Sequence, residues 1–135
     1  MSSSDAALAQ ASSGSLTLDL RAHEVCWVLP QGATMVGSID CPGGALILGR
    51  FEGKILCRLG SLIIGASGEF AGKAEARQIY VEGLVRNTRA QETTVLNGML
   101  LIAVAESARC RANLFSRAFA LHTKNFSGQL TTIAS

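Results

Sequence analysis

The sequence has few aromatic residues, few charges and almost no proline. Aromatic side chains make up 5% of its 135 residues and charged side chains 16%, and there are two prolines. A core filled by large rings is therefore excluded, because too few rings are present. The 14 glycines and the 48% of hydrophobic residues instead favour thin aliphatic layers joined by tight corners.

Long apolar segments are also missing. The longest run, residues 99–105, has 7 residues, whereas a transmembrane helix needs about 20. The start of the chain, MSSSDAALAQASSGS, lacks the basic and apolar regions of a secretory signal. We expect residues 1–27 to form a flexible tail, the later part of which alternates in the manner of a strand and can cap the first layer of the fold.

The chain lacks the patterns of most binding chemistries. Its net charge of +2 provides no basic stripe for a nucleic acid, so we expect no nucleic-acid partner. The cysteines are too far apart for a zinc site and are expected to stay as buried thiols; they are Cys26, Cys41, Cys57 and Cys110. Cys41 and Cys57 lie one repeat apart and are expected to stack.

What the chain does contain is a repeat at residues 45–76. Residues 45–49 match residues 61–65 at a shift of 16, and the following FEGK (51–54) matches FAGK (70–73). Each unit is a short apolar run, a glycine corner and a Gly-Lys corner. A unit of this size cannot bury its own apolar face, so it must stack on its neighbours as a solenoid.

Strands with alternating side chains are expected between the glycines. The unit at 79–83 follows at a shift of 17, and the longer interval after it predicts a bulge or loop at 92–98. We expect five to six coils of parallel strands. The predicted inward core stack consists of Ile39, Leu46, Leu48, Ile55, Leu62, Ile64, Phe70, Ile79, Val81 and Ile102.

Two catalytic alternatives can be weighed on the sequence. GRFEGK (49–54) has three residues between its glycines and no Ser or Thr after its lysine, so it does not form a phosphate loop. A left-handed hexapeptide-repeat acyltransferase is the stronger alternative, because Gly37, Gly43 and Gly49 recur every six residues. That period then stops, and neither His23 nor His122 has an identifiable acid partner.

The order and spacing of several segments resemble the bactofilins, a bacterial family of polymer-forming cytoskeletal proteins. The resemblance covers about residues 28–130. It rests on an opening turn, the two repeat units, an Ala-Arg pattern and a closing unit; these are LPQGATMVGSID (29–40), ALILGRFEGKI (45–55), SLIIGASGEFAGKAEA (61–76), residues 108–117 and FALHTKNFSGQ (119–129).

The resemblance implies an all-β fold, a right-handed three-faced parallel β-helix at residues 28–130 with a short tail at 131–135. It implies self-assembly into filaments, coil end against coil end and without nucleotide. The match of the closing unit makes Phe126 the candidate apolar contact at the C-terminal end, and Phe119, Leu121 and Trp27 complete the predicted polymerisation interface.

The resemblance implies a scaffold and no enzyme, with no catalytic, cofactor-binding or metal-binding residue. Its expected partners are other copies of the chain and client proteins of cell shape, cell-wall synthesis or polar structures. The expected location is the cytoplasm, with the inner face of the cell membrane as the alternative. Residues 1–4 lack the apolar tip that targets some members to the membrane.

Two departures from the family pattern lie in the later coils. Arg89 stands where members have an inward aliphatic residue, and Asn113 replaces the usual corner partner. We therefore expect irregular coils between residues 85 and 113.

Overall fold

The computed structural model describes residues 25–133; most of the predicted N-terminal tail lies outside them. This part of the chain is all-β and contains no helix that could cross a membrane. Its twelve strands are β1 (Val25–Leu29), β2 (Thr34–Cys41), β3 (Gly44–Ile47), β4 (Arg50–Ile64), β5 (Glu69–Val81), β6 (Leu84–Val85), β7 (Val95–Val104), β8 (Arg109–Arg111), β9 (Asn113–Ser116), β10 (Phe119–Leu121), β11 (Asn125–Ser127) and β12 (Leu130–Thr132).

The strands stack in parallel as a solenoid of about six coils with three faces. Face A contains β1, β3, the ends of β4, β5 and β7, and β10. Face B contains the starts of β2, β4 and β5, followed by β6, β8 and β11. Face C contains the ends of β2, the middle parts of β4 and β5, the start of β7, and then β9 and β12. The predicted β-solenoid is confirmed.

The coils are numbered along the chain. The first coil contains β1 and β2, the second β3 and the first two parts of β4, and the third the end of β4 and the first two parts of β5. The fourth contains the end of β5, β6 and the start of β7, the fifth the end of β7, β8 and β9, and the sixth β10, β11 and β12.

The repeat at 45–76 pairs with two different offsets. On faces B and C the pairing follows the prediction, with Phe51 beside Phe70 and Gly53 beside Gly72. On face A, however, Ala45 pairs with Leu62, one residue later than the predicted shift of 16. Since side chains alternate along a strand, a one-residue slip exchanges the side chains that point into the core with those that point away from it.

Because of this slip, two members of the predicted inward core stack, Leu46 and Leu48, do not belong to the main core. Ala45 and Ile47 belong to the main core, whereas Leu46 and Leu48 lie in a second, small cluster with Ile63. The apolar run ALIL contains no polar residue that would mark one face as outward, so its alternation could be counted from either parity.

The main core consists of ladders of side chains that run through all six coils. Leu29, Ile47, Ile64, Val81, Val104 and Leu121 form one such ladder on face A. Ile55, Leu62, Phe70, Ile79 and Ile102 from the predicted stack are also buried in this core, and Ile39 is half-buried against it.

The fourth coil contains an inserted loop at residues 86–94. It lies between β6 and β7 and includes residues 92–94 of the predicted range 92–98, whereas residues 95–98 are a strand on face C. Arg89 is exposed in this loop and does not point into the core. The coil resumes after Thr94, whose carbonyl accepts a hydrogen bond from the Asn113 backbone N–H at 2.9 Å.

Candidate functional site: the two ends of the stack

Burial along the core ladders differs between the middle and the ends of the solenoid. In the second to fifth coils the inward side chains are buried, and Leu62, Ile79 and Ile102 have no exposed surface. The half-buried apolar side chains packed against the main core all belong to the first and last coils; they are Trp27, Ala33, Met35, Ile39, Phe119, Leu121 and Phe126. The two ends are therefore open parts of one continuous core.

The first-coil end is formed by Trp27, Met35 and Ile39, which are half-buried. Trp27 stands above Ala45 in its ladder, where the small methyl group leaves space for an indole. The Trp27 ring meets Phe51 edge to face, with the centroids 6.1 Å apart. This geometry holds one side of the indole against the second coil.

The last-coil end is formed by Phe119, Leu121, Phe126 and Leu130. Each of them stacks on the ladder residue of the coil before it; Phe126, for example, pairs with Cys110. Leu130 is 46% exposed, although the four residues of its ladder in the second to fifth coils are buried. Its exposure results from its place in the last described coil, since no strand of residues 25–133 pairs with β12 on its other side.

The backbone is open at the same two places. Among the described residues, β1 and β2 each pair with one strand only, as do β10, β11 and β12. A strand with one unpaired edge presents free N–H and C=O groups that can continue the ladder with another chain. Each end therefore combines an apolar centre with a hydrogen-bonding rim.

The predicted interface residues do not form one surface. Trp27 lies at the first-coil end, whereas Phe119, Leu121 and Phe126 lie together at the last-coil end. Sequence reasoning missed Met35 and Leu130 as end residues. The signal was available, because Leu130 follows Leu114 by one coil and ends that ladder.

The charges also differ between the ends. The last two coils expose four cations, Arg109, Arg111, Arg117 and Lys124, and one carboxylate, Glu106. In the described part of the first coil the charged residue is Asp40, which accepts two hydrogen bonds from Arg58 at 2.9 and 3.2 Å. These bonds hold the pKa of the Asp40 carboxyl below its usual value. The last-coil end is thus the basic one.

Candidate metal ligands are not gathered at either end of the described solenoid. Residues 25–133 contain no group of three His, Cys, Asp or Glu side chains that could hold a metal ion. Burial raises the pKa of the Cys57 and Cys110 thiols to about 12. His122 is exposed just after β10, and His23 lies outside the described residues.

Comparison with known proteins agrees with this architecture. A family profile described as "Bactofilin: Polymer-forming cytoskeletal" matches residues 27–131. No curated protein and no solved structure matches the chain. The match spans most of the sequence and all six coils, and it does not favour the acyltransferase alternative. The chain belongs to the bactofilin family of polymer-forming cytoskeletal proteins.

Proposed function

We propose that this protein is a nucleotide-independent scaffold that polymerises through the two ends of its β-helix. The observation that carries the proposal is the confinement of the half-buried core residues to the first and last coils. Contact between ends would bury these side chains and continue the strand ladders from one subunit to the next. Both gains repeat with every added subunit.

The geometry of such contacts favours an open polymer. If the first-coil end of one subunit meets the last-coil end of the next, the contact is heterologous and lies along the stacking direction, so it does not close into a ring. If like ends meet in alternation, every subunit again has two partners. In either arrangement the polymer grows along the axis of the solenoid.

Phe126→Arg tests the role of the last-coil end. An arginine there would bring an unpaired charge into the contact, which is costly, and it would add to an end that is already basic. We expect a folded, strand-rich protein that no longer forms filaments. Electron microscopy would detect the loss of filaments, and circular dichroism would check the fold.

Phe115→Arg is the matched control. Phe115 alternates with the inward Leu114 and Ser116 on β9 and is half-exposed on the side of the solenoid. The same substitution there should leave filaments intact. Filaments that persist in Phe126→Arg, or that disappear equally in both variants, would contradict the assigned role of Phe126.

In the cell we propose that the polymer lies in the cytoplasm or at the inner face of the membrane, where it organises client proteins of cell shape, cell-wall synthesis or polar structures. Its family supports the scaffold role, and a scaffold needs no catalytic residue. A fluorescent fusion should form discrete structures at a fixed cellular position, and Phe126→Arg should make the fluorescence diffuse. Diffuse fluorescence of the unaltered fusion would contradict the cellular role.

A further inference from the structure

Two thiols meet where the first coil returns to its starting face. The Sγ atoms of Cys26 and Cys41 are 2.9 Å apart, and both lie within 3.5 Å of the Gly44 carbonyl oxygen. Cys26 belongs to β1 on face A, and Cys41 is the last residue of β2 on face C. A bond between them would therefore join the first and the last strand of the first coil.

A local irregularity directs Cys26 toward Cys41. The pairing of β1 with β3 shifts register between Val25 and Trp27, so Cys26 is the bulged residue. A bulge takes one residue out of the regular ladder and redirects its side chain. Without the bulge, Cys26 would point to the side of the strand opposite to its inward neighbour Trp27.

The two thiols differ in accessibility. Cys26 is exposed and Cys41 is buried, so a soluble oxidant can reach the first directly and the second only through the first. Cys57 is the ladder neighbour of Cys41, but it is 1% exposed. Cys110 is buried in the fifth coil. Cys26 is thus the accessible thiol, and Cys41, in contact with it, is the thiol that can form the disulfide.

We propose that Cys26 and Cys41 are a reversible thiol–disulfide pair, a modification site that closes the first coil covalently when a small disulfide oxidant such as oxidised glutathione is present. A disulfide places its sulfur atoms about 2 Å apart, so the pair must approach by about 1 Å. Disulfides in reducing compartments are usually transient or redox-sensing, which suits a reversible bond.

The exchange proceeds in two balanced steps. The Cys26 thiolate attacks one sulfur of oxidised glutathione, forming a mixed disulfide on Cys26 and releasing one glutathione thiolate. The Cys41 thiolate then attacks Sγ of Cys26, forming the protein disulfide and releasing the second glutathione. The protein loses two electrons and two protons, and oxidised glutathione becomes two molecules of reduced glutathione.

The test uses the full chain incubated with oxidised glutathione, followed by alkylation of the remaining thiols and digestion with trypsin without reductant. Cleavage after Arg21 and Arg50 yields fragment 22–50, which contains Cys26 and Cys41 but neither of the other cysteines. We expect this fragment to lack two hydrogen atoms and to carry no alkyl group. The number of free thiols should fall from four to two, and reductant should restore all four.

Three variants make the result specific. Cys41→Ser should accumulate the glutathione mixed disulfide on Cys26, because the resolving thiol is gone. Cys26→Ser should keep all its remaining thiols, and Cys57→Ser should form the same bond as the unaltered chain. In the unaltered chain, a persistent glutathione adduct, a bond that includes Cys57, or fragment 22–50 alkylated at both cysteines would overturn the proposal. Because the readout is a covalent mass, it is independent of filament formation.

Discussion

At the scale of single residues, the glycines at the corner between faces B and C are held by close backbone contact. Gly37, Gly53 and Gly72 stack in register with positive φ angles of 147°, 141° and 126°. A Cβ atom on Gly53 would lie 1.8 Å from the carbonyl oxygen of Gly37, whereas one on Gly37 would meet nothing within 4 Å. The same conformation is thus crowded in one coil and open in the coil before it.

Gly53→Ala and Gly37→Ala separate backbone strain from this crowding. We expect Gly37→Ala to lower the free energy of unfolding by about 1–3 kcal/mol, the usual cost of a side chain in this region. Gly53→Ala should cost more than about 4 kcal/mol, because the corner backbone must also move. Denaturant unfolding followed by circular dichroism measures both, and equal losses would refute the close contact.

The buried thiols predict a loss of stability in alkaline solution. Burial raises the pKa of Cys110 to about 12, whereas the pKa of a cysteine in the unfolded chain is about 8.5. Below the unfolded value both states keep the proton, so this contribution to stability is fully present. As the pH rises from there toward the folded value, only the unfolded chain ionises and stability falls.

Unfolding midpoints of the unaltered chain and of Cys110→Ala measured at increasing pH test this linkage. The variant should be less stable at neutral pH, since it loses packing, but its stability should fall less steeply above about pH 9. Parallel curves for the two proteins over the alkaline range would contradict the shifted pKa of Cys110.

At the scale of elements, Thr94 joins the inserted loop to the regular coils. Its side chain is fully buried; the hydroxyl accepts a hydrogen bond from the Gly72 backbone N–H at 3.0 Å and donates one to the Arg86 carbonyl. A side chain thus supplies the partner that a strand of the fourth coil would otherwise provide to Gly72.

Thr94→Val should therefore destabilise the protein by about 1–3 kcal/mol, because valine has nearly the same shape but leaves the Gly72 N–H unpaired. Thr93→Val, at an exposed neighbour in the same loop, should change the stability by less than about 0.5 kcal/mol. Thermal or denaturant unfolding compares them. A cost for Thr94→Val no greater than that of the control would show that this bond does not hold the loop.

How much of each element could be predicted depended on whether glycines or polar residues mark its corners and its outward side. Gly53 and Gly72 with their lysines fixed the pairing on faces B and C, since a corner that admits only glycine leaves no choice of register. The apolar run at 45–48 contains no such marker, and its parity was assigned wrongly. The predicted range of the loop covered only its last residues, 92–94, because Thr94 and the irregular residues before it have no periodic pattern.

At the scale of the whole molecule, the solenoid is a stack whose middle coils are closed and whose ends are open. The family and the number of coils could be predicted, because repeats show in a sequence. Which residues lie at an end depends on where the stack stops. Leu130 stands between the polar Gln129 and Thr131, an alternation that is typical of an inward residue. It is exposed because no coil of residues 25–133 lies beyond it.

The most direct test is the structure of the assembled protein, by electron microscopy and fibre diffraction of the purified chain without nucleotide. Six coils at the usual strand spacing of about 4.8 Å make each subunit about 29 Å long along the axis. We predict filaments with this axial advance per subunit and a 4.8 Å repeat along the fibre. Discrete closed oligomers, or filaments whose subunits associate side by side, would contradict assembly through the ends.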